Sequence, residues 1–133
     1  MKFVLTTAMT LMMGMMGVTS AQAFSIGFDW AGLKLCTSGQ ARTVGSPAFT
    51  LKDIPAGTTH IRFKMVDLNN RDYNHGGGTV AWSGEATIPA GAFKYKSPCP
   101  PDGAHVYEWT ATALAGKGGA KLGQAKAKRQ YPE

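Results

Sequence analysis

Alternation with a period of two dominates the chain from residue 60 onward, and a chain so patterned builds pleated sheet rather than helix. Over residues 60–68, Ile61, Phe63 and Met65 fall on one side and His60, Arg62 and Lys64 on the other. By the same parity Asp67 lands on the apolar side at the strand's end. Over residues 104–114, His105, Tyr107, Trp109, Ala111 and Ala113 share one side, opposite Glu108, Thr110 and Thr112. Shorter strands are predicted at residues 25–28, 49–51, 79–83, 85–88 and 124–130. Breakers separate them: Gly45-Ser46-Pro47, Pro55-Ala56-Gly57, residues 69–78, Pro89-Ala90-Gly91, and residues 97–103 with Pro98, Pro100 and Pro101. Short strands between glycine and proline turns predict an all-β sandwich or barrel with little helix. Seventeen glycines in 133 residues also work against long helices.

The amino terminus reads differently. Lys2 precedes a nearly charge-free apolar run over residues 3–18, and Ala21-Gln22-Ala23 has the small-x-small form of a cleavage site. Residues 1–23 are therefore predicted to be a secretory signal peptide, and residues 24–133 a single β domain. The alternative, an uncleaved anchor, is opposed by a run shorter than the ~20 residues a bilayer span needs. Six of the seven methionines lie in this leader, so they are not a metal-binding cluster. Removing Lys2 with it lowers the net charge from +6 by one. No later apolar stretch is long enough to cross a bilayer, so an exported protein, periplasmic or secreted, is expected. Export favours a disulfide between Cys36 and Cys99. Free thiols or a redox pair are the other readings, and no C-x-x-C supports the second.

Four polar residues beside turns stand out. Asp67 ends its strand, His75 opens His75-Gly76-Gly77-Gly78, His105 follows Pro100-Pro101-Asp102-Gly103, and Tyr107 lies one step deeper on the side of His105. If the two strands are neighbours, these tips line one rim, and the three glycines bring backbone N–H groups near an anion. The other reading makes Asp67 a turn cap, Tyr107 ordinary core and the glycines a flexible loop.

Here the chain resembles the phosphatidylethanolamine-binding proteins. Ser46-Pro47-Ala48-Phe49, Asp53-Ile54-Pro55-Ala56-Gly57-Thr58 and the strand ending in Asp67 are similar to that family's N-terminal half. Residues 98–107, Pro-Cys-Pro-Pro-Asp-Gly-Ala-His-Val-Tyr, resemble its second signature, a proline-rich turn followed by histidine, one residue and tyrosine. The similarity runs over about residues 24–131 and is nearest the small bacterial and archaeal members, which include Raf kinase inhibitor protein relatives. It implies a β-sandwich with an anion pocket at one end that takes phosphate groups such as phospholipid headgroups. It assigns ligand binding to Asp67, His75, His105 and Tyr107, with no cofactor and no metal. The family's Asp-Pro-Asp-x-Pro pattern is here Asp67-Leu68-Asn69-Asn70-Arg71, without the prolines and the second acid.

Two imidazoles, a phenol and glycine N–H groups are hydrogen-bond donors, and Asp67 is placed to orient one imidazole. Anion binding is then expected to strengthen as pH falls toward the histidine reference of about 6.5. His-Gly-Gly-Gly also occurs as an oxyanion loop in some esterases, but the chain lacks Gly-x-Ser-x-Gly, so no enzyme is expected. A metal site from Asp67, His75 and His105 has suitable ligand chemistry but no tight spacing. Lys117, Lys121, Lys126, Lys128 and Arg129 concentrate near the C-terminus. They read either as a solvated edge strand or as a surface for anionic lipid, polysaccharide or an acidic protein. Nucleic acid is disfavoured by export and the absence of a recognition motif. The expected function is that of an exported, non-enzymatic binding protein for a phosphate-bearing small molecule or headgroup. The alternative is an inhibitor or interaction module acting on a protein partner through its surface.

Overall fold

The two long alternating segments pair with each other and found the largest sheet. The computed structural model describes residues 23–133, so the predicted leader, Ala23 apart, lies outside the described residues. The strands are β1 (Ser25–Gly27), β2 (Thr43–Gly45), β3 (Phe49–Lys52), β4 (His60–Asp67) and β5 (Gly77–Ala81). They continue with β6 (Thr87–Ile88), β7 (Lys94–Lys96), β8 (His105–Ala115) and β9 (Ala120–Tyr131). All pairings are antiparallel, in sheets of order β1-β3-β6, β2-β7 and β5-β4-β8-β9. The all-β architecture is thus as expected.

Parity decides which face of β4 and β8 is buried. Ile61, Phe63, Met65, Tyr107, Trp109, Ala111 and Ala113 are all at most 1% exposed. Across the ladder Phe63 meets Ala111 and Ile61 meets Ala113, so large side chains oppose small ones and leave depth for a second layer. Phe49 of β3 fills that depth. Its ring stacks on Phe63 at 4.3 Å and meets Trp109 edge-on at 5.3 Å. Each such aromatic pair adds about 0.5–1.5 kcal/mol beyond area burial, and these contacts join the two layers of the sandwich.

Several boundaries differ from the sequence expectation. β5 begins two residues early, inside the glycine run, because Gly77 and Gly78 pair with Lys64 and Phe63 of β4. A Cβ at Gly77 would lie 1.8 Å from the Phe63 carbonyl oxygen, and one at Gly78 2.6 Å from Phe93 Cβ. Those glycines are a close-packed strand, not a flexible loop. The predicted strand at 85–88 shortens to two residues, while the one at 124–130 grows into β9, which follows β8 along its whole length with a bulge at Ala113/Leu114. β2 and β7 were not anticipated, each being only three residues long.

Candidate functional site

Strand register brings the acid to the phenol. Asp67 closes β4 directly opposite Tyr107 on β8, and His105, two residues earlier on the same side, projects past the end of β4. Asp67 is 4% exposed, as its parity predicted. Its two oxygens do different work. Oδ1 accepts from the Asn69 and Asn70 amides at 2.8 and 3.2 Å, shaping the turn after β4. Oδ2 accepts from His105 Nδ1 at 2.6 Å, which leaves Nε2 of that ring for another partner.

His75 arrives from the loop between β4 and β5. It is 3% exposed, and its Nδ1 donates to the Lys96 carbonyl of β7 at 2.8 Å. Burial pushes its pKa below the ordinary 6.5, against the raising pull of that carbonyl and of Asp67. Near neutral pH its Nε2 therefore presents a lone pair. The expected gain in anion affinity from this ring consequently falls below the reference value rather than at it. Tyr107 is pushed up from 10, first by burial and then by the charge of Asp67, so its hydroxyl stays protonated.

Asp67, His75, His105 and Tyr107 line one cavity of about 130 Å³. That is room for a few waters or one small oxyanion. Both open readings of Asp67 hold together, since the same carboxylate caps the turn and orients an imidazole. The glycine expectation does not hold. Gly76, Gly77 and Gly78 face other hollows, and the Gly76 amide is spent on Asn74 Oδ1 at 2.9 Å. Among the described residues, no group of three or more His, Cys, Asp or Glu side chains is arranged to hold a metal ion.

The sequence reading missed one wall. Cys36 and Cys99 form a disulfide, and the Cys36 amide donates to Tyr131 Oη at 2.8 Å. This clamp holds the segment with Gly39 and Ala41 against Pro100 and Pro101, and all four line the cavity. Asn70 and Tyr73 complete the mouth. The cysteine pairing was the available signal for that wall, because it ties residues near 40 to the proline-rich turn.

No family model matches the chain, and a search of curated proteins finds no significant match. Solved structures do match. Escherichia coli YbcL, described as a new member of the mammalian phosphatidylethanolamine-binding protein family, is 16% identical with a TM-score of 0.59, covering 83% of this chain and 98% of YbcL. CT736 of Chlamydia trachomatis, described as a putative phosphatidylethanolamine-binding protein homolog, is 15% identical with a TM-score of 0.56, covering 84% of this chain and 98% of its own. Taken with the antiparallel sandwich and the position of Asp67 at the end of β4, these likenesses establish that the chain has the phosphatidylethanolamine-binding-protein fold.

Proposed function

We propose that this chain is an exported binding protein, without catalytic activity of its own, whose end cavity takes a small phosphate-bearing molecule or headgroup. The observation that carries the reading is the 2.6 Å bond from His105 Nδ1 to Asp67, which fixes an imidazole at the cavity shared with His75 and Tyr107. A protonated phenol donates to a phosphoryl oxygen. The neutral His75 Nε2 accepts from a P–OH, and His105 Nε2 is turned to the same space by its bond to Asp67. A partly protonated phosphate matches that donor and acceptor set. The two structural neighbours are described in the terms of phosphatidylethanolamine binding, which supports the ligand class. The Cys36–Cys99 disulfide, together with the signal-like leader, supports an oxidising compartment.

Titration calorimetry with inorganic phosphate and phosphoethanolamine tests this. The wild type should bind both, and His105→Ala should lose at least about tenfold in affinity, the loss expected for a charge-assisted hydrogen bond, while keeping a cooperative melt. Unchanged affinity in that variant would overturn the reading.

A further inference from the structure

The cavity uses one end of the sandwich, whereas most of the positive charge lies elsewhere. Arg62 and Lys64 point outward from β4 and Lys126 and Lys128 from β9, all exposed. Lys94 and Lys96, exposed on β7, border a hollow of about 320 Å³ over Gly76 and Gly77. Arg62 and Lys64 border a second, of about 360 Å³, across the same two glycines. A Cβ at Gly76 would meet nothing within 4 Å, so the trough between the cation pairs is open.

The acids are arranged to leave this face positive. Glu108 is the acid among the outward positions of the sheet and lies 3.8 Å from Lys126, and Asp72 borders the hollow beside Lys64. Asp29, Asp53, Glu85 and Asp102 sit in turns or loops, Asp67 is in the cavity, and Glu133 is held by Arg129 at 2.8 Å.

We propose that the outward face of the β5-β4-β8-β9 sheet, with its glycine-floored trough, is a docking surface for an acidic polysaccharide. This goes beyond the cavity reading and does not depend on it. Strand geometry spaces the cations about 7 Å apart along a strand and about 10 Å apart across one intervening strand. Such a lattice suits a chain of repeated fixed anions better than one phosphate. Between the cations stand hydroxyls and an amide: Thr79, Thr110 and Thr112, with Gln124 Nε2 donating to Thr112 Oγ1 at 3.3 Å. These groups can exchange hydrogen bonds with sugar hydroxyls. Among the outward positions of β4, β8 and β9 the aromatic ring is the His60 imidazole, at the far end of β4 and tied to Thr59 Oγ1 at 2.9 Å, so no run of rings stands between the cations for successive bases to stack on. Large apolar side chains that would enter a bilayer are sparse there: Val66 and Val106 are half-buried, Leu114 is buried, and Leu122, 39% exposed, sits at the bulge of β9 away from Lys64 and Lys128.

The test is fluorescence anisotropy with a labelled heparin oligosaccharide at low salt. Two triple variants of equal net charge are compared: Lys64→Glu, Lys126→Glu on the face with Lys96→Glu on the β7 rim of its trough, and Lys34→Glu, Lys52→Glu, Lys117→Glu away from both. The face triple should bind at least about tenfold more weakly, and the other triple should stay within about threefold of wild type, as short-range screened contacts require. Should the glutamate triple on the face fail to melt cooperatively, the same positions changed to glutamine give the comparison. Phosphatidylglycerol vesicles and oligothymidylate, added at matched anionic charge, should displace the oligosaccharide poorly. Equal losses in both triples, or displacement by either competitor as effective as by unlabelled heparin, would overturn the proposal.

Discussion

At Asp67 one carboxylate closes a backbone turn with Oδ1 and holds the His105 imidazole with Oδ2, so turn geometry and cavity geometry are coupled through a single side chain. His75 is coupled to the fold in another way, through its charge state. Its pKa is lowered in the folded chain, so below the ordinary 6.5 the unfolded chain binds more protons there than the folded one. Stability carried by neutral His75 is therefore fully present at pH 7.5 and is lost as pH falls from 6.5 toward the lowered folded value. His75→Asn keeps an amide donor for the Lys96 carbonyl but cannot titrate. Differential scanning calorimetry should show a smaller drop in Tm from pH 7.5 to 5.5 for this variant than for the wild type.

At the scale of the element, β5 depends on what its residues lack. Its ladder with β4 brings Gly77 against the Phe63 carbonyl and Gly78 against the Phe93 ring, and neither position has space for a methyl group. Gly77→Ala should destabilise the protein by about 3 kcal/mol, the upper range for overpacking, measurable as a lowered denaturant midpoint. The alternative reading of these glycines as a flexible loop failed here because glycine marks close backbone approach as well as freedom. The C-terminal basic cluster likewise divides once β9 is formed. Lys126 and Lys128 face outward with the β4 cations, whereas Arg129 has the opposite parity and turns to Glu133 and to the Phe28 carbonyl at 3.3 Å. β2 and β7 escaped the sequence reading because three residues carry too little alternation to separate strand from loop.

For the whole molecule, the Cys36–Cys99 bridge spans 63 positions and pins a strand-poor segment to the proline-rich turn. Closing a loop of that length restricts the unfolded chain by about 4 kcal/mol in the chain-entropy model. Cys36→Ser with Cys99→Ser should lower stability by about that amount in urea unfolding. The double variant should also weaken phosphate binding while sparing heparin binding, since the clamp shapes the cavity wall and supplies none of the cations of the outward sheet face.

Local alternation was enough to make β4 and β8 strands, to bury Asp67 and Tyr107, and to mark the two cysteines as partners, because these follow from two-residue periodicity and compartment chemistry alone. Register is a different matter. Whether Asp67 faces Tyr107, whether residues near 40 wall the cavity, and which lysines share a surface all depend on contacts between distant segments. Parity assigns a side chain to a face, but only packing of Phe49 between Phe63 and Trp109 and the pairing of β5, β4, β8 and β9 selects one register. That selection placed the acid, the imidazoles and the phenol around one space.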